Sequence, residues 1–318
     1  MTPSRLAWRR TTAMMHAMAG TTSYKVWLLA AWIGAAGPAL AQSSPKLGPQ
    51  GPESAPDRRQ EWLVPTQDQL TLSHAVLFRP PGKGPFRLAI IAHASVQNSI
   101  RRAQSPQPEY RTLAAALVAR GFAVLVPERP GHGKTGGPYL EDQGGCEDAD
   151  YRLSAEATAE SLSAARAFMR QQPFVRKDAA VVVGHSAGGW GALALAGESP
   201  KEIAAIIVFA PGRGGRANDR AGQVCAPDKL IASAASLGED AKVPVTWIVA
   251  DNDSYFSPDL SRQMADAFRG AGSDQVDFQV LPGTSSDGHF FAEAAGSHDF
   301  DAMLDRAIRP AIADASKR

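Results

Sequence analysis

Neither sign of charge dominates this chain. Its 33 Lys and Arg against 32 Asp and Glu leave a formal net charge of +1, so it lacks the basic surplus of a nucleic-acid binder. Long apolar runs are also missing: the stretch from Val26 to Ala36 is stopped by Gly37 and Pro38, too short to cross a bilayer comfortably. No internal repeat points to a solenoid. The histidines lack metal-ligand spacing and no loop has the phosphate-cradling pattern, so neither a metal nor an organic cofactor is expected. Cysteine is scarce, with only Cys146 and Cys225.

What is present describes an ordinary globular protein. At 318 residues, 44% hydrophobic and 20% charged, the chain can bury a sizeable core, and one large α/β domain is the simplest reading. Before that domain, Arg5, Arg9, Arg10 and Lys25 precede the Val26–Ala36 run, and Ala39, Leu40 and Ala41 give a small-x-small cleavage pattern. Residues 1–41 therefore read as a signal peptide cut after Ala41, a retained anchor being the alternative. Export to the periplasm or medium is expected, with no stable membrane association once the signal is removed. Residues 42–60, rich in Pro, Ser and Gly, read as a flexible linker, and residues 61–318 as the domain. In an exported protein the two cysteines are expected to form a disulfide closing a loop of about 80 residues.

Glu61 to Phe78 alternates loosely around a polar turn near Gln67 to Gln69, which predicts an antiparallel strand pair. Then continuous apolar runs take over: Arg87–Ala92, Phe122–Val126, Ala179–Val183, Ile203–Phe209, Val245–Val249 and Val276–Leu281. Strands apolar on both faces belong to a parallel sheet covered by helices. Helical stretches alternate with them at Tyr110–Arg120, Ala155–Arg170, Trp190–Ala196 and, capped by Ser257 and Pro258, to about Arg269. The expected architecture is an α/β doubly wound sheet, whose reactive groups gather at the carboxyl ends of its strands.

Those ends carry a chemistry. The run "VVVGHSAGG" puts Ser186 where a strand must become a helix, and Gly184 and Gly188 give the clearance such a bend needs. There the Ala187 N–H opens a helix and can face an oxygen gaining negative charge. A serine hydroxyl needs a neutral imidazole to take its proton. His289, after the last strand, is the chosen base and His298 the alternative; His16 and His74 lie elsewhere, His93 and His132 are read as structural or substrate-facing, and His185 as a packing or hydrogen-bonding residue. Asp253 is the expected acid, Asp251 being read as a cap and Asp287 as shaping the loop of His289. A second oxyanion donor is expected from the backbone N–H of Ser95, or of Val96.

With these residues in view, the sequence resembles the α/β-hydrolase superfamily and, within it, the dienelactone hydrolase-like serine hydrolases. The carriers are "IIAHAS", "PERPGHGKTGG", "VVVGHSAGGWGALALA", "VPVTWIVADNDSYFSP" and "LPGTSSDGH". The resemblance implies the α/β-hydrolase fold, with Ser186 as nucleophile, Asp253 as acid and His289 as base. The chain departs from the family in two places. Ala94 follows His93 where the family has His-Gly, and Ser186 stands where the eponymous enzymes use cysteine.

The expected activity is cleavage of a small-molecule carboxylic ester through an acyl-enzyme. A serine peptidase or amidase on the same residues, or a binding protein without turnover, are the alternatives. Cys146 and Cys225 follow strands and should lie on the rim of the site. Arg129, Arg213, Arg216 and Arg220 share those loops; they are read as solvated surface charge, with an anionic substrate as the alternative.

Overall fold

The computed structural model describes residues 46–313 apart from 69, 273 and 274. The signal-peptide reading of residues 1–41 lies outside the described residues. Nine strands form one sheet: β1 (Gly48–Pro49), β2 (Gln60–Pro65), β3 (Leu72–Phe78), β4 (Arg87–Ala92), β5 (Phe122–Pro127), β6 (Ala180–His185), β7 (Ile203–Phe209), β8 (Val245–Ala250) and β9 (Val276–Leu281), in spatial order β1-β2-β3-β5-β4-β6-β7-β8-β9. The first three, and the β3–β5 junction, are antiparallel; from β5 onward every pair is parallel.

The helices are α1 (Ser99–Ala103), α2 (Arg111–Ala119), α3 (Tyr151–Met169), α4 (Ala187–Ala194), α5 (Pro227–Gly238), α6 (Pro258–Gly270), α7 (Phe291–Ala294), α8 (Ser297–Ala307) and α9 (Arg309–Ala313). Strand pleating sends neighbouring residues to opposite faces. Thus Leu88 and Ile90, with Val182 and Val208, meet α3, α4, α5 and α6 in one core layer. Ala89 and Ile91, with Val183 and Phe209, meet α2, α8 and α9 in the other. Both faces are dry, which is why these strands are apolar at successive positions.

Several boundaries differ from expectation. Strand β6 runs on through Gly184 and His185, because Gly184 pairs with Ala92 on one side and Val208 on the other. Helix α3 starts at Tyr151 rather than Ala155, since the Asp150 carboxylate caps it by accepting from the Leu153 N–H at 2.8 Å. Helix α4 starts at Ala187, three residues before the expected Trp190, despite its glycines. Helices α1, α5, α7, α8 and α9 were not anticipated. The expected flexible linker is also corrected over residues 48–60. Gly48 and Pro49 pair with Leu63 and Trp62 at the sheet edge, and Glu53 binds both Arg58 and Arg79. Proline and glycine there serve an edge segment as readily as a loose tether.

Candidate active site

Adjacent parallel strands end at the same level, so the turns leaving β4, β6, β8 and β9 share one rim of the sheet. At the end of β6 the chain bends sharply. Ser186 takes φ 53° and ψ −120°, a strained conformation for a residue with a Cβ. A Cβ on Gly184 would come within 2.5 Å of Gly189 Cα, and one on Gly188 within 2.2 Å of the Ala92 carbonyl oxygen. Only glycine lets β6 and α4 pass so closely to each other and to β4.

The bend lifts Ser186 Oγ to 3.0 Å from His289 Nε2. His289 sits in the turn after β9, and its Nδ1 lies 3.2 Å from Asp253 Oδ2. Asp253, in the turn after β8, is itself fixed: its Oδ1 accepts from the backbone N–H groups of Tyr255 and Phe256 at 2.7 and 2.9 Å. With Nδ1 facing the carboxylate, the proton of the neutral ring belongs there and Nε2 is left to accept from the serine. The Tyr255 ring stacks flat on the imidazole, centroids 3.9 Å apart. Burial lowers the pKa of His289 below its ordinary value, the hydrogen bond and charge of Asp253 opposing the shift.

The remaining candidates separate clearly. His298 is fully exposed on α8, pairing with Asp301, which removes it as an alternative base. Asp251 accepts from the Gly283 N–H at 2.9 Å rather than capping α6, whose cap is Ser257. Asp287 accepts from the backbone N–H groups of Ser254 and His289, both at 3.1 Å, and so shapes the loop of the histidine.

The loop after β4 carries the Ser95 backbone N–H. The Arg129 N–H donates to His93 Nε2 at 3.0 Å, so the His93 proton is on Nδ1, which donates to the Ala94 carbonyl at 2.6 Å. A trans peptide holds its C=O and N–H on opposite sides, so anchoring that carbonyl turns the Ser95 N–H the other way. Among the described residues neither the Ser95 nor the Ala187 N–H is used by another group. Both residues, and Val96, line a cavity of about 320 Å³ that opens on Ser186, together with Arg213, Arg216 and Tyr255. A second cavity, of about 580 Å³, lies across the same loop against Pro106, Pro108 and Phe290.

Behind the loop is a buried polar network that the sequence did not reveal. Glu141 accepts from Arg129 Nε and Nη2 at 2.7 and 3.0 Å, and Arg213 Nη2 lies 3.1 Å from the same carboxylate. Arg129 and Arg213 are thus not the solvated charges expected; Arg220 is exposed, and Arg216 lies partly buried between Ser254 and Tyr255. Arg213 can only donate, so its 2.8 Å bond to Tyr139 makes that hydroxyl the donor to Ser95 Oγ at 3.2 Å. Ser95 Oγ in turn donates to His132 Nε2 at 2.8 Å, because His132 Nδ1 faces the carbonyls of Arg129 and Pro130. Burial lowers the pKa of His132 to about 4, so it accepts that bond at neutral pH.

Cys146 and Cys225 form a disulfide across 79 positions of sequence. The Cys225 N–H donates to the Gly214 carbonyl at 2.9 Å, which ties the bridge to the Arg213–Gly215 wall of the Ser186 cavity. Among the described residues no three His, Cys, Asp or Glu side chains are grouped closely enough to hold a metal ion, and no helix is long and apolar enough to cross a membrane.

A family model described as "Alpha/beta hydrolase family" matches residues 105–313. No curated protein matches the sequence. Among solved structures, a cold-adapted esterase from an Arctic intertidal metagenomic library is similar at 19% identity and TM-score 0.54, over 82% of this chain and 99% of that one. An esterase of Pyrococcus furiosus aligns at 14% identity and TM-score 0.56, over 83% and 98%. A Klebsiella pneumoniae protein named "Putative Dienelactone Hydrolase" aligns at 16% identity and TM-score 0.51, over 79% and 97%. At such identities the likeness is one of fold.

Proposed function

The chain belongs to the alpha/beta hydrolase family, and from that premise we propose that it hydrolyses carboxylic esters through an acyl-enzyme formed on Ser186. The observation that carries this reading is the pair of contacts joining Ser186 Oγ, His289 and Asp253 in one buried line. In this mechanism His289 takes the serine proton as Oγ attacks the ester carbon, then delivers it to the leaving alkoxide. Asp253 keeps the ring in its reactive tautomer and stabilises the imidazolium. The Ser95 and Ala187 N–H groups hold the oxyanion of the tetrahedral intermediate. Water repeats the sequence to release the acid and restore the serine. The two esterases of like fold make esters the first substrates to try.

A fluorophosphonate probe combined with a panel of esters, anilides and peptides tests the reading. The expected result is one label on Ser186 and turnover of esters well above amides. A folded protein that takes no label would be a binding protein instead, and preferential turnover of anilides would make it an amidase.

The pH dependence follows from the lowered pKa of His289. The base works only when neutral, so kcat/KM should rise with pH along a single limb whose midpoint lies below the ordinary histidine value of 6.5. Stability shares the sign. His93, His132 and His289 all have pKa values lowered by burial, so the unfolded chain binds more protons below about pH 6.5 and stability falls as the pH drops. A pH–rate profile centred above 7 would contradict this assignment.

A further inference from the structure

We propose that Tyr110 is a positioning residue whose single hydroxyl ties the oxyanion loop to the loop that carries the base. The proposal rests on the reading of Ser186 as nucleophile and adds a residue to that machinery which touches none of the reacting atoms.

Tyr110 stands just before α2 with φ 48° and ψ 46°. That left-handed conformation suits glycine or asparagine, and a bulky residue keeps it only where its surroundings over-determine it. What the ring reaches explains its presence. Buried to 7% exposure, its Oη accepts from the Ala94 N–H at 3.0 Å. It also lies 3.0 Å from His185 Nδ1 and 3.3 Å from Glu293 Oε1. These partners come from three segments of the site: the loop after β4, the last residue of β6 beside Ser186, and the helix that follows His289.

The directions of the bonds can be assigned. His185 Nε2 faces the carbonyl of His289 at 2.7 Å, so it carries a proton and donates. When the ring is neutral, Nδ1 is an acceptor and the Tyr110 proton goes there. Oη keeps a lone pair for the Ala94 N–H, so with the ring neutral a continuous path runs from the Ala94 N–H through Tyr110 and His185 to the main chain of the base. The two peptides that flank the Ala94 Cα are thereby both held, the first at its N–H by Tyr110 and the second, which carries the Ser95 N–H, at its C=O by His93.

The test is Tyr110→Phe, which removes one oxygen and keeps the ring packed against His185. On an ester that the wild type turns over, kcat should fall about 10- to 50-fold with KM within about twofold, less than the 10²–10³ for deleting an oxyanion donor outright. Affinity for a boronic acid, which forms a tetrahedral adduct on serine, should weaken by the same factor as kcat/KM. His185→Leu removes both the donor to the His289 carbonyl and the acceptor facing Tyr110. It should show the same loss confined to kcat, and the double variant should fall short of the product of the two single losses. If Tyr110→Phe does not fold, His185→Leu decides alone. Either folded variant with kcat within twofold of wild type, a loss that appears in KM with boronic-acid affinity unchanged, or losses that multiply would overturn the proposal. A wild type that takes no fluorophosphonate label would instead sink the premise about Ser186.

Discussion

Ser186→Ala is expected to lower kcat on the preferred ester by about 10⁵–10⁶-fold, the largest effect of any single change in this protein. The size follows from the chemistry. Without Oγ no acyl-enzyme forms, and only the Ser95 and Ala187 N–H groups and binding are left, which in such sites sustain about 10³–10⁴ over water. His289→Ala should cost nearly as much, because the serine at 3.0 Å then keeps its proton. Adding it to Ser186→Ala should cost almost nothing more, since the two act as one unit. Asp253→Asn should lose about 10⁴, as the amide offers its NH₂ to Nδ1 and forces the proton to Nε2, the wrong side of the ring. Steady-state rates with an activated ester, on variants whose near-ultraviolet circular dichroism matches wild type, read the whole series. Ser186→Ala retaining several per cent of activity would remove the serine from the mechanism.

The residues of that series were legible in the sequence because each is marked by local chemistry at a strand end. Gly184 and Gly188 announce the bend around Ser186, and Asp253 and His289 follow apolar runs that are unmistakable as buried strands. The sheet was legible for the same reason, since two dry faces leave a continuous apolar signature. What stayed hidden depends on distant loops meeting. Nothing near Arg213 says that it will share Glu141 with Arg129, and nothing near Tyr110 says that its hydroxyl will reach Ala94, His185 and Glu293. Charged residues on loops are usually solvated, so reading the arginines as surface followed the ordinary statistics and failed where a single buried carboxylate gathers two of them. Ala94 after His93 marked a departure from the family pattern at this loop without showing what holds the loop. The structure has it held by the neighbouring His93 and by the distant Tyr110.

Glu141→Gln is expected to destabilise the fold by about 3–5 kcal/mol, because it removes the carboxylate that faces two buried guanidiniums. Glu141 is 3% exposed, with Arg129 at 1% and Arg213 at 5%. Burial alone would raise the carboxyl's pKa, but the charges of Arg129 and Arg213 outweigh it and hold the group well below its ordinary value. A depressed folded pKa means that this stabilisation is complete above the unfolded value of 4.5 and is lost as pH falls through the folded one. The glutamine therefore imposes at neutral pH a loss that the wild type meets only in strong acid. Urea unfolding should show a lower midpoint at unchanged slope. Adding Arg213→Met removes one of the stranded cations and should recover part of the stability, while removing the donor that holds the Tyr139 hydroxyl beside Ser95 and leaving activity low. That split between recovered stability and unrecovered rate is the decisive readout. If Glu141→Gln costs under 1 kcal/mol, or the second change restores stability and activity together, the buried cluster does not brace the oxyanion loop.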